Sequence, residues 1–199
     1  MNRYLSVFSL LSFTVLFLTA CTNVDPGSKW INLLDGEQGM NNFNVVGGAN
    51  WHAMDGTIMA TENSGARAFL VSKNAYGDFR LRVEIWVSHD GNSGVFMRCD
   101  SPDTISSRAC YEVNVSDQAE DPKYGTGSIV RVAPITLPMV KAGGKWNVLE
   151  IIAEGNHLQV ILNGTKTIDI MDSAHGSGVF GLQWNGGIIK FRKVDIMPL

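Results

Sequence analysis

The polar side chains best placed for chemistry lie between Gly91 and Asp117, in the stretch GNSGVFMRCDSPDTISSRACYEVNVSD. In the run Tyr111-Glu112-Val113-Asn114-Val115, the period-two geometry of a strand sends the three apolar residues to one face and Glu112 with Asn114 to the other. A carboxylate beside an amide on a sheet surface can hold a sugar-sized ligand. The preceding run alternates Gly94, Phe96 and Arg98 against Val95, Met97 and Cys99. Its arginine offers a rigid fork of donors that can orient a carboxylate or polarise an oxygen. The same two residues would equally make a surface ion pair on an antiparallel sheet.

Cys99 and Cys110 place a competing demand on the register of these strands. In a plain antiparallel pair, Cys99 opposite Cys110 sets Met97 opposite Glu112 and turns Arg98 away from the glutamate. Setting Arg98 opposite Glu112 sends the cysteines to opposite faces, because a one-residue slip flips every side chain. A bulged or twisted strand end between Asp100 and Ala109 would reconcile the two. Without one, the expectation is the site register, with Arg98 and Glu112 on one face. Were they to project from opposite faces, the pair would be lost and a binding role would come first.

The elements that must position these residues are strands. From Trp30 onward apolar residues recur at every second position, and no dozen residues show a sustained 3.6-residue period, so the body reads as all-β. Asp78–Val87 is the clearest half-buried strand, with Phe79, Leu81, Val83, Ile85 and Val87 on one face. Asp55-Gly56 and Asn163-Gly164 are hairpin turn signals, since both residues of each pair tolerate positive φ. In the last strand Ile189 and Phe191 are out of phase with Val194 and Ile196, which a bulge near Arg192-Lys193 repairs. Between Gln118 and Gly144, only GSIVRVAPI looks strand-like, so this region reads as a long loop of the kind that carries binding residues. A dozen or so short strands in this length make a two-sheet sandwich.

The chain has 199 residues and a net charge of −3, with no basic excess that would point to nucleic acid. Met1 to Ala20 carries Arg3 and an apolar run shorter than the roughly 20 residues of a spanning helix, and reads as a secretory signal. Leu18-Thr19-Ala20-Cys21 matches a bacterial lipobox, which makes Cys21 the expected site of lipidation and the mature N-terminus. Removing the leader takes away Arg3 and no acid, so the charge becomes −4. Residues 22–29, TNVDPGSK, have the composition of a flexible tether, and 30–199 form the domain. Thr22 follows the cysteine where a retention aspartate would otherwise stand. The expected location is therefore the cell envelope, anchored by lipid to the outer membrane and facing the periplasm.

Other chemistries fit less well. Glu112, Asn114 and Asp117 share the spacing of the laminarinase-type glucanase motif, but a retaining mechanism needs two carboxylates about 5 Å apart and the middle position here is an amide. His52, His89, His157 and His175 lack metal-ligand spacing, Asp90-Gly91-Asn92 reads as a turn as readily as a calcium loop, and no metal is expected. No nucleotide-binding or nucleophile-elbow motif is present, so the residues name no cofactor.

With the strands in order, the chain resembles the 3-keto-disaccharide hydrolase domain family, also described as 3-keto-glucoside lyase/hydratase domains. The resemblance rests on WINLLDG, NWHAMDGTI, YGDFRLRVEI, GNSGVFMR, YEVNVSD, GSIVRVAP, KWNVLEI and GLQWNGGIIKFRKVDI, in that order. It implies a concanavalin-like jelly roll of two antiparallel sheets and activity on 3-keto-glycosides. Asn92, Ser93, Gly94 and Arg98 match the family's GNSG and arginine, and Tyr111, Glu112 and Asp117 its second strand, with Asn114 where glutamine is commoner. Gln183 and Gly186 match a late LQ-x-H-G segment in which Asn185 replaces the histidine, and an asparagine does not titrate near neutral pH.

The chemistry implied is elimination. A carbonyl at C3 acidifies the C2 hydrogen, so a base can remove it and the enolate can expel the glycosidic oxygen from C1. Glu112 is the expected base and Arg98 the expected oxyanion partner. Asn92, Asn114, Asp117, Gln183 and Asn185 are the expected substrate-binding residues. Asn185 also favours the other reading, a non-catalytic carbohydrate-binding lipoprotein on the same sandwich.

Overall fold

A computed structural model describes residues 29–199; the leader, Cys21 and the tether up to residue 28 lie outside the described residues. Thirteen strands follow one another: β1 (Ile31–Asp35), β2 (Phe43–Gly47), β3 (Ala49–Met54), β4 (Thr57–Glu62), β5 (Ala68–Ser72), β6 (Phe79–Val87), β7 (Asn92–Cys99), β8 (Tyr111–Ser116), β9 (Trp146–Glu154), β10 (His157–Leu162), β11 (Thr165–Met171), β12 (Val179–Trp184) and β13 (Ile189–Pro198). They pair antiparallel in two sheets. The larger runs β11-β10-β9-β6-β13-β4-β3, with β1 added beside β13, and the smaller runs β2-β5-β12-β7-β8. The described residues are all-β, as the alternation implies, and short 3₁₀ turns at Met40–Asn42 and Pro122–Tyr124 are their remaining helical pieces.

The core lies between the sheets. β6 alternates buried and more exposed residues along its length, and its buried face shares one core cluster with Val95 and Met97 of β7, Tyr111, Val113 and Val115 of β8, and Phe180, Leu182 and Trp184 of β12. A strand buried on one face needs this alternation, and its phase decides which residues the opposite face presents. Asn163 and Gly164 both have positive φ, as do Asp55 and Gly56, in keeping with the hairpin turns read from the sequence. The register of β13 against β6 shifts between Phe191 and Lys193, which places the expected bulge.

The region 118–144 differs from expectation in one respect. GSIVRVAPI forms no strand. Ile129 makes single bridges to Val113 and Ala133, and Arg131 takes a positive φ of 68°, which ends any extended run. The loop still folds back over β8: Asn114 N donates to Ser128 O, Gly127 N to Asn114 O and Val130 N to Glu112 O.

Candidate functional site

The outer face of the smaller sheet is laid out by its register. Gly181 of β12 lies opposite Phe96 of β7, which lies opposite Glu112 of β8. In the next row Gln183, Gly94 and Asn114 stand side by side. In the third, Asn92 lies opposite Ser116 and its carbonyl accepts from Asn185 N. Strands about 4.8 Å apart and like-facing residues roughly 7 Å apart along each strand make this a polar grid of sugar dimensions.

These rows floor a cleft of about 340 Å³, lined by Asn92, Glu112, Asn114, Gln183 and Asn185 from the strands. Arg67, just before β5, forms another wall, and Glu120, Asp121, Tyr124 and Val130 of the long loop close the remaining side. The volume falls at the small end of the roughly 300–1,000 Å³ usual for small-molecule sites.

Glu112 sits where burial raises its pKa from 4.5 to about 7, while the Arg67 charge and the Ser107 hydroxyl pull the other way. Burial wins because removing a carboxylate from water costs more than a cation on the cleft wall returns. The apolar shield beside it is a small cluster on this same face, Phe69, Val71, Phe96, Ile105 and the Cys99–Cys110 pair. Two amide oxygens, Asn114 Oδ1 and Gln183 Oε1, are buried without a hydrogen-bond partner. The Asn114 amide nitrogen is fixed by donating to Tyr124 O at 2.7 Å.

Arg98 does not share this face, and the expected pair with Glu112 is corrected. Cys99 and Cys110 are bridged. The reconciling distortion lies at Arg98 itself: its φ is +52°, and the three steps of β7 from Phe96 to Cys99 span the two steps of β12 from Gly181 to Val179. One extra residue restores Cys99 to the face of Phe96 and Glu112 and turns Arg98 away. Its fully buried side chain then reaches the other sheet's end. Nε donates to Gly77 O at 2.9 Å, Nη1 to Gly155 O at 2.7 Å and His175 O at 3.3 Å, and Nη2 to Asp78 Oδ1 at 2.9 Å.

Asp117 is likewise occupied and does not line the cleft. Its Oδ1 accepts from Thr126 Oγ1 and Ala142 N, and its Oδ2 from Ala142 N and Gly143 N, so it fastens the long loop at both ends. None of the five tryptophans lines the cleft. Among the described residues, no group of three or more His, Cys, Asp or Glu side chains is placed to hold a metal. Sequence reasoning placed the long loop near ligand without naming Glu120, Asp121 or Tyr124, and it missed Arg67 altogether: β5 reaches the site by pairing with β12, more than a hundred residues later, and nothing local marks it.

The family model for the 3-keto-alpha-glucoside-1,2-lyase-like domain matches residues 29–197. The chain belongs to that family. It is also 25% identical over 143 residues to a levanase from Bacillus sp. (strain L7), a match covering 71% of this chain and 15% of the levanase. Among solved structures, a protein of Parabacteroides distasonis ATCC 8503 whose name proposes a glycosyl hydrolase superposes with a TM-score of 0.68 at 24% identity, over 86% of this chain and all of that one. The carbohydrate binding module CBM66 from Bacillus subtilis superposes with a TM-score of 0.58 at 20% identity, over 77% of this chain and 95% of the module. These structures share the sandwich fold. Family and fold together mark a carbohydrate-related domain, hydrolase-like or carbohydrate-binding.

Proposed function

We propose that the cleft cleaves 3-keto-glycosides by elimination, with Glu112 as the group that takes and returns the proton. The observation that carries this reading is the Glu112 carboxyl, largely buried beside an apolar cluster yet opening into a polar cleft, in the row beside Gln183, Gly94 and Asn114. A base whose pKa lies near ambient pH is suited to moving protons in both directions. The Glu112 carboxylate takes the C2 proton, and the electron pair of that C–H bond becomes the enolate of the C3 ketone. The enolate then forms the C1=C2 double bond as the C1–O bond breaks, and the leaving oxygen receives the proton held by Glu112. Atoms and charge balance with no redox partner, and addition of water to the double bond completes a net hydrolysis.

Arg98 cannot serve the oxyanion from its buried position, and in this reading Arg67 takes its place. It lines the cleft, and none of the hydrogen bonds or ion pairs among the described residues engages its guanidinium. The loss of the Arg98–Glu112 pair would place a binding role first, were it not for a glutamate at the cleft floor whose pKa burial raises to about 7, which a purely binding surface does not need. The binding reading keeps one observation in its favour, Asn185 where the family carries histidine. A lipid anchor at Cys21 would set either activity in the cell envelope.

The test follows release of the aglycone from a panel of 3-keto-disaccharides by chromatography. The wild-type protein is expected to release sugar with a rate that rises with pH through about 7, as the carboxylate forms. Glu112→Gln is expected to lose at least about a thousandfold in kcat. Tight binding across the panel with no release would hand the site to the binding reading.

A further inference from the structure

The row that holds Glu112 is covered by chain. Gly181, Phe96 and Glu112 stand side by side on β12, β7 and β8, and Gly181 brings no side chain to its place. A Cβ there would lie 3.6 Å from Phe69 Cδ1 and 3.8 Å from Ile105 Cγ2, so those two side chains occupy the space over it. Phe69 meets Phe96 edge to face, with ring centroids 5.2 Å apart. Ile105 belongs to the loop from Asp100 to Ala109, and two residues further on Ser107 hydrogen-bonds the Glu112 carboxyl. The loop thus crosses from Gly181 to Glu112 before it returns to Cys110. Its backbone hydrogen bonds close on itself: Asp100 N donates to Ala109 O, Thr104 N to Ser101 O and Ala109 N to Ser106 O, and among the described residues none reaches a strand. What ties it down are side chains: buried Ile105, Asp100 Oδ1 at 3.1 Å from His175 Nδ1, and the Cys99–Cys110 bridge that clamps both ends. A segment with so few contacts of its own opens locally once its clamp is removed.

We propose that the loop closed by the Cys99–Cys110 bridge is the positioning element of Glu112: Ile105 pins it over Gly181, Ser107 orients the carboxyl, and opening the bridge lets water reach that carboxyl. The inference rests on Glu112 as the group that moves the proton and adds what holds it. Ser107 and the rest of the loop act with opposite sign. The hydroxyl favours the charged carboxylate by donating to it, whereas the cover favours the neutral acid by excluding water. The other ionisable groups that share the cleft with the carboxyl are Arg67 before β5 and Glu120, Asp121 and Tyr124 of the long loop. Phe96 and Gly181, its neighbours in the row, carry no charge. Within the bridged loop Asp103 and Arg108 are exposed and Asp100 faces His175.

Titration is followed by carbon-13 NMR of the glutamate side-chain carboxyls, with the Glu112 signal assigned as the one missing from Glu112→Gln. The wild-type midpoint is expected near 7. Ser107→Ala removes the donor and keeps the cover, so its midpoint is expected to rise by about half a pH unit or more, with Ser107→Thr restoring it. Cys99→Ser combined with Cys110→Ser frees the loop, so its midpoint is expected to fall by about one pH unit or more toward the ordinary 4.5. Ile105→Ala leaves the bridge intact and is expected to shift the midpoint downward as well; it keeps the proposal testable should the double substitution impair folding. Where sugar is released, the midpoint of the pH–rate profile is expected to move with the carboxyl in each variant.

A wild-type midpoint at the ordinary carboxylate value would overturn the proposal. So would a midpoint in either Ser107→Ala or Ile105→Ala that stays within about 0.2 pH units of wild type. Movement of both in the same direction would overturn it as well, since a general loosening of the fold gives one sign. The expected opposite shifts in a protein that releases no sugar would leave the loop's role standing and remove the cleavage reading.

Discussion

At the scale of the residue, Glu112 shows how little sequence is needed to make a functional group and how much folding is needed to tune it. Its pKa of about 7 against an ordinary 4.5 is chiefly a burial effect. Below about 4.5 the carboxyl is protonated in folded and unfolded chains alike. Between there and about 7 the folded protein holds a proton that the unfolded chain releases, so the stability this group allows falls as pH rises through that window. Glu112→Gln should therefore be more stable than wild type at pH 8 by about 1–3 kcal/mol, with the gap closing toward pH 4, as read from urea melts across pH. A gap that stays constant with pH would mean the carboxyl is not desolvated. The facing of Glu112 and Asn114 was legible in the sequence because both sit on one short, regular strand. Arg67 was not, because its place in the cleft depends on which distant strand β5 chooses as its neighbour.

At the scale of the element, the decisive feature is one extra residue in β7. Alternation counts residues and has no sign for a bulge, so the sequence presented the disulfide and an Arg98–Glu112 pair as alternatives. The bulge lets the bridge and the glutamate share a face, and Arg98 is the residue displaced. Its new position is structural: one guanidinium gathers the Gly77, Gly155 and His175 carbonyls and the Asp78 carboxylate, tying β7 to the segments that open β6 and join β9 to β10. Arg98→Met should cost about 2–4 kcal/mol, because it strands the carbonyl acceptors that the arginine satisfies, while Asp78 Oδ1 keeps its second donor, Gly155 N. The folded fraction should keep the wild-type rate per active molecule, measured below the variant's melting transition. A variant that remains as stable as wild type but loses turnover would return Arg98 to the chemistry. The final strand's bulge near Arg192-Lys193 was legible where that of β7 was not, since two apolar pairs out of phase reveal an inserted residue and no such pair flanks Arg98.

At the scale of the whole molecule, the two sheets divide the work. The smaller presents the cleft; the outer face of the larger is closed by cations lying on tryptophans, Arg82 over Trp30, Lys190 over Trp86 and Arg192 over Trp146. This layering was legible as a class, because burial of alternate residues leaves a two-sheet sandwich as its natural packing, whereas the assignment of strands to sheets required contacts far apart in the chain. The domain begins at Trp30, under Arg82 on the sheet opposite the cleft. A tether from residue 22 to 29 spans at most about 28 Å when fully extended. A lipid at Cys21 would therefore hold the protein by its larger sheet and leave the cleft open to solutes. If Cys21 carries the lipid, Cys21→Ala should release the protein from the membrane fraction into the soluble periplasm, since acyl chains would then be its hold on the bilayer. Sugar release per molecule should be the same in both forms, because the anchor starts from the face that does not carry the cleft. Continued membrane association of Cys21→Ala would remove the lipid anchor, and a change in turnover with correct release would place the tether against the cleft.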